Sequence, residues 1–370
     1  MKKTKFNTFI IYVITISFVM LSSCSKPIMK GVAINQGGYS VYNNTVFYID
    51  NSTIKYIDLV TGKTGVLCGK PNCKHELYDE KNNPDPICNA VAKKDCSIQS
   101  CLLVNEKLYY SVSRANVLLI YEYDYKNDKL KSISEVENLN PNNDIVYLDG
   151  CLYFNCSAWV FEEKNVDDGL GWSIGESQVF KYNLNNKSTE ILFKGENFYI
   201  NNLYCANNNI FACGFDFDTI NTAPKYRTYI YDGNTTKKVS DNAYYYFDDN
   251  NGYINPLIPN AVSDEQVSNK IMKYNFKNQS ENELCQGFVL FSYSHYMIYV
   301  NDNKYYRYDS NTDKIESIPL NNDNSVNYID DKYVIYSLFD NSGNQTGTYV
   351  LETDEFINGN LKEAKLIEYP

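Results

Sequence analysis

Histidine and tryptophan are nearly absent from this chain. Two of each occur in 370 residues, against 35 tyrosines and 18 phenylalanines. A catalytic apparatus built on imidazole therefore has only His75 and His295 to draw on. Beyond residue 23 no stretch is apolar for the 18 or so residues that a membrane-spanning helix needs. Positive charge is also in deficit: 34 Lys and Arg against 45 Asp and Glu give a net charge of -11. Such a surface repels phosphate backbones and anionic headgroups, which excludes a nucleic-acid partner and adhesion to a membrane by charge alone. No P-loop, no G-x-G-x-x-G and no C-x-x-C-H occurs.

What is present begins at the N-terminus. Lys2, Lys3 and Lys5 precede an uncharged stretch, Phe9 to Leu21, which runs into Leu21-Ser22-Ser23-Cys24. The apolar stretch is too short to cross a hydrocarbon core about 30 Å thick, but it suits the h-region of a signal peptide. Small residues before a cysteine resemble the bacterial lipobox, in which a narrow peptidase site frees the thiol for diacylglycerol. Residues 1–23 are thus expected to be removed and Cys24 acylated. The membrane would then be a partner through the lipid anchor, with 24–38 as a short tether on the extracytoplasmic face of the cell membrane.

The remainder, 39–370, repeats one unit. IKYIDLVTGK, IYEYDYKNDK, VFKYNLNNKS, TYIYDGNTTK, IMKYNFKNQS, YYRYDSNTDK and TYVLETDEF align on Asp58, Asp124, Asn183, Asp232, Asn275, Asp309 and Glu352. Each is preceded by an apolar or aromatic residue: Ile57, Tyr123, Tyr182, Tyr231, Tyr274, Tyr308 and Leu351. Alternation with period 2 marks strands, and a unit of about 40 to 50 residues with room for four strands marks an all-β propeller blade. The polar residue should cap the turn between third and fourth strands, because its short side chain bonds backbone two residues on. Seven blades are expected, starting near Tyr39, Cys96, Asp144, Asn197, Asn242, Gly287 and Asn324, with six or eight as alternatives. A stack of hairpins or a two-domain sandwich is the other architecture the pattern allows. Lys30–Asn35 is a candidate strand to complete the ring by pairing with the last blade. Insertions are expected to form loops at 67–90, at 157–177 and around 255–268.

The insertion 67–90 reads LCGKPNCKHELYDEKNNPDPICNA and supplies Cys68, Cys73, His75 and Cys88. Three thiolates and an imidazole can close a tetrahedral Zn²⁺ site and fasten a loop that has no core of its own. Outside the membrane disulfides also persist, and the ten cysteines after Cys24 would permit five bridges. Free buried thiols are the third reading, since cysteine packs as a small hydrophobe. Cys151 and Cys156, five apart in one strand, cannot bridge each other. The pattern Leu67-Cys68, Pro71-x-Cys73-x-His75 and Cys88-x-Ala90 resembles a segment of uncharacterised lipoproteins of low-GC Gram-positive bacteria. Those carry a propeller-like domain of unknown function, loosely related to TolB-like β-propellers. The resemblance implies a propeller fold and an extracytoplasmic location, and no known activity.

Other motifs are weak. Gly171-Trp172-Ser173-Ile174-Gly175 matches the G-x-S-x-G elbow, which requires a strand before the serine and a helix after it; here a strand is expected to follow. Lys126 and Lys129 remove an EF-hand match at Asp124, Asp128 and Glu135. His295 reads as a satisfied structural histidine. Both tryptophans, Trp159 and Trp172, fall in the insertion 157–177 and are the ligand-binding candidates, since a large ring with an N–H suits a sugar face or a peptide side chain. The expected function is a surface-anchored binding or scaffold module for an extracellular glycan, peptide or envelope protein. The alternative is an extracytoplasmic polysaccharide hydrolase or lyase using two carboxylates in a central pocket.

Overall fold

The computed structural model describes residues 32–34, 38–115, 117–137, 140–162, 171–196, 198–206, 208–216, 225–244, 246–256, 267–320, 324–340 and 342–367. They form seven antiparallel sheets, each holding four strands consecutive in sequence. The blades span 40–66, 96–137, 140–196, 198–240, 246–286, 288–318 and 324–366. The described residues contain one short helix, α1 (Thr353–Ile357). No helix among them is long and apolar enough to cross a membrane.

The ring is held by seven apolar clusters, one in each seam between neighbouring blades. Every sheet buries both faces, so alternate residues of one strand enter different seams. In the first strand of blade two, Leu103 packs toward blade one while Leu102 and Val104 pack toward blade three. The long polar-tipped residue that fits such a half-wet seam is tyrosine, with its ring buried and its hydroxyl reaching a turn. Tyr123 donates to Asp128 Oδ1 at 3.0 Å, and Tyr308 donates to Asp313 Oδ1 at 2.6 Å. Both pairs join the third strand to the turn that follows it.

The aligned polar residues lie where the repeat places them. Asp58, Asp124, Asn183, Asn275, Asp309 and Glu352 end their third strands, and Asp232 follows Tyr231, the last residue of its strand. Asp58 Oδ1 accepts from the amides of Val60 and Thr61, both at 2.9 Å. Asn183, Asp232, Asn275 and Asp309 accept in the same way from residues two and three further on. Glu352 departs from the pattern: its side chain makes no cap bond, and α1 starts directly after it. Asparagine is abundant for a second reason. Tight hairpins turn through paired positive φ angles at Asn43/Asn44, Asn51/Ser52 and Asp302/Asn303, the two-residue geometry that matches strand twist.

Two expectations are corrected. The N-terminal strand β1 (Val32–Ile34) does not pair with the last blade; it pairs antiparallel with Asn140–Leu148, the innermost strand of blade three. Among the described residues no strand is exchanged at ring closure: blades one and seven meet through Val46, Ile57, Ile335 and Val350, and Lys332 Nζ donates to Asn44 Oδ1 at 3.2 Å. The insertion 157–177 is not an irregular loop: strands Cys151–Glu162 and Gly171–Asn183 run through most of it, paired up to Glu162 opposite Gly171.

The turn caps and the seams should differ measurably in weight. Asp58→Ala, which removes two backbone acceptor bonds, should cost about 1 kcal/mol by chemical denaturation, and Glu352→Ala close to nothing. Phe211→Ala, at a fully buried seam position, should cost about 3–5 kcal/mol. Equal effects of Asp58→Ala and Glu352→Ala would refute the capping role.

Candidate metal centre

The cysteine segment leaves the outer strand of blade one at Val66 and reaches blade two at Cys96. Both of its ends are fixed by backbone. Leu67 N donates to Ile54 O at 2.9 Å, and Ile54 N donates to Ala90 O at 2.8 Å. Between these points the chain has little regular structure and few buried residues, as the prolines at 71, 84 and 86 dictate. Leu67, Cys88, Ala90, Val91 and Ala92 enter the seam between blades one and two, while Leu77 and Ile87 are exposed.

At this poorly cored place four side chains converge. Cys68, Cys73, His75 and Cys88 each offer one ligand atom, all within 4.8 Å of one another. His75 Nδ1 lies 3.4 Å from Cys88 Sγ, so Nδ1 is the ring nitrogen turned inward. Tetrahedral zinc with bonds of about 2.0–2.3 Å sets its ligands about 3.3–3.8 Å apart, a modest contraction of the cluster as it stands. The backbone is bent to bring them in: Asn72 and His75 both adopt positive φ, and Cys73 N donates to Lys70 O. For histidine that conformation is uncommon and marks a position fixed by its surroundings. Lys70 N also donates to Cys68 Sγ at 3.4 Å, a backbone bond of the kind that supports a thiolate.

The surroundings tie the cluster to blade two. Lys70 Nζ bonds Ile87 O at 3.0 Å and lies 3.4 Å from Asp128 Oδ2. Asn89 donates to Asp128 Oδ1, which also receives the Tyr123 hydroxyl. Gly69 passes so close to Tyr125 O that a Cβ there would sit 1.8 Å from it; no other residue fits. Burial first, and then the neighbouring Cys68 and Cys73, push the Cys88 thiol up to about 12. A bound cation would reverse that by favouring the thiolate. The donor set and its grouping fit a closed structural zinc site, with all four positions taken by protein and none left for substrate. Bound there, zinc would pin the segment to the seam; these residues themselves supply orientation and charge, not reaction chemistry.

None of the ten described cysteines is bridged. Cys101, Cys156 and Cys213 are fully buried, and burial raises all three thiols. Cys151 and Cys156 share a strand and face opposite seams. Residues 171–175 all lie within one strand, so Ser173 is not on an elbow. His295 occupies a tight turn, 3.2 Å from Ser294 Oγ, with its ring against Tyr296. Trp159 stands opposite Ile174, and Trp172 opposite Phe161.

Sequence reasoning missed Asp144. Burial pushes its carboxyl up to about 7, and the Leu203 amide, which donates to it at 2.7 Å, lowers it only in part. Among the described residues no second carboxylate contributes to that shift. Asp249 is also raised, by burial and then by Asp248 and Asp331. Asp248, however, is engaged by the amides of Asn250 and Asn251 and by the Tyr253 hydroxyl.

No protein-family model matches this chain, and no curated protein matches its sequence. Solved structures do resemble it. The acylaminoacyl peptidase of Pyrococcus horikoshii aligns with a TM-score of 0.53 and 13% identity, over 93% of this chain and 54% of that one. A post-proline cleaving enzyme from Rickettsia typhi gives 0.52 and 10%, over 90% and 53%. A puromycin-hydrolyzing peptidase from Mycobacterium tuberculosis gives 0.51 and 10%, again over 90% and 53%. The chain spans about half the length of each, and at such identity the likeness is one of fold alone.

Two outcomes follow from the titratable groups. Protein purified without chelator should carry one zinc per chain by elemental analysis; Cys88→Ser should abolish it and lower the melting temperature, while Cys101→Ser should retain it. A metal-free protein whose stability is unchanged by Cys88→Ser would remove the metal reading. The second concerns Asp144, whose ordinary value is 3.8. Between about pH 4 and 7 the folded chain keeps a proton that the unfolded chain has lost, so its contribution to stability falls as pH rises. Asp144→Asn should flatten the stability profile across that window.

Proposed function

We propose that this chain is an exported lipoprotein, acylated at Cys24, that serves as a non-catalytic binding or scaffold module for an extracellular glycan, peptide or protein. One observation carries the binding reading. A groove of about 540 Å³ crosses blades four, five and six, lined by Tyr226, Tyr246, Phe288, Asn202 and Asn242 among others, with no carboxylate among the described residues of its wall. Aromatic faces beside amides suit sugars and peptide backbones, which need stacking surface and neutral hydrogen-bond partners. Asn255 shapes the rim: its amide donates to Ser268 O, Lys270 O and Gly287 O, and its oxygen accepts from Val289 N. Glu281, bonded to Asn242, is also held by Ser240 and Tyr244.

The groove belongs to the face where second strands pass to third strands and where one blade leads to the next. The hairpin of Trp159 and Trp172 rises from blade three on that face, so the two tryptophans stay in the proposal as a second contact. The fold likeness to peptidases supports a propeller acting as a binding module and brings no substrate with it.

A glycan and peptide array, followed by titration of any hit, tests this. Phe288→Ala should weaken binding by about tenfold or more, as the loss of one buried aromatic contact does. Trp172→Ala tests the hairpin separately. Release of reducing ends from a bound polysaccharide would overturn the non-catalytic reading, and unchanged affinity in both variants would place the site elsewhere.

A further inference from the structure

β1 lies in an unusual place. It is the fifth strand of the blade-three sheet, added beyond the innermost strand. It also approaches the first strands of blades one, two and four, so it runs inside the central channel. Its register gives its direction. Val32 stands opposite Leu148 and Ile34 opposite Val146. Leu148 precedes the turn at Asp149-Gly150 that leads to the second strand. The ring has two unlike faces. On the turn face, first strands pass to second and third to fourth. On the insertion face are the second-to-third-strand connections, the groove and the tryptophan hairpin, whereas the cysteine segment reaches back to the turn at Tyr125–Asp128 of blade two. β1 therefore enters the channel from the turn face and climbs toward the insertion face, where blade one begins at Ser40.

We infer that this threading orients the ring on the membrane, with the turn face toward the lipid and the insertion face presented outward. The inference rests on acylation at Cys24. Eight residue steps separate Cys24 from Val32, a reach of at most about 28 Å. The anchor thus lies on the turn-face side and cannot extend around the ring to the other. Charge agrees with a stand-off rather than contact. The turn face carries Asp58, Asp124, Asp149, Asp232, Asp309 and Asp330. These would be repelled by anionic headgroups at contact, but screening over about 8 Å makes the repulsion negligible at the length of the tether. The groove then faces away from the bilayer, open to a large polymer or a neighbouring protein.

The test uses the native lipidated chain in vesicles with an acceptor dye on the headgroups. A donor is placed by bio-orthogonal labelling at Lys277 or at Lys270, exposed positions of blade five on either side of its third strand. They lie on opposite faces, about 20 Å apart along the strand direction. Energy transfer should be greater from Lys277 than from Lys270. Equal or reversed transfer overturns the orientation. Vesicle binding that survives Cys24→Ala, or an unacylated native N-terminus by intact mass, overturns the proposal at its premise. Ala33→Pro isolates the threading, since proline removes a ladder donor inside β1. It should lower the melting temperature by several degrees with or without lipid, and an unchanged melting temperature would mean that the strand does not hold the channel.

Discussion

Burial of both faces of every blade is the constraint on which the rest depends. A four-stranded sheet of this size is stable only when neighbours cover it, and the ring supplies a neighbour on each side without leaving an open face. Seven seams carry seven apolar clusters, and among the described residues no strand is shared between first and last blades. Closure therefore relies on side-chain packing such as Val46, Ile57, Ile335 and Val350, at 0 to 1% exposure. The even distribution of this packing explains the composition. Tyrosine fills the seams while its hydroxyl satisfies a turn, so one residue type serves core and rim.

Against that background the cysteine segment is the exception, a long connection with little apolar content. Where packing is thin, directed bonds take over. Lys70, Asn89 and Asp128 stitch the segment to blade two, and the three thiols and one imidazole gather at its centre. A metal there would act as the seams do elsewhere, holding two blades in register, by coordination instead of area. The other seven described thiols are dispersed through the seams as small apolar groups, unbridged and without a shared role.

The two faces are built differently. The turn face is short, regular and acidic, and its capped turns leave little surface to vary. The insertion face carries the longer connections of blades three, four and five and the groove beside them. β1 pairs with the inner edge of blade three and so occupies part of the axial channel.

Much of this was legible in the chain. Capping by Asp58 and its counterparts depends on bonds spanning two or three residues, so the repeat announces itself locally. The start of blade two at Cys96 and of blade seven at Asn324 follows from period-2 alternation for the same reason. The four metal-site residues were visible as a cluster because they fall within one short segment. What the tertiary structure alone decided is non-local. Three residues such as Val32–Ile34 carry no information about which of seven similar inner strands they will join. The helix after Glu352, the continuation of strand pairing to Glu162 and Gly171, the lone raised carboxyl of Asp144 and the groove spanning three blades each depend on neighbours distant in sequence. Local hydrogen bonds and side-chain alternation are written in the order of residues; which edge pairs with which, and what surface results, is fixed only when the ring closes.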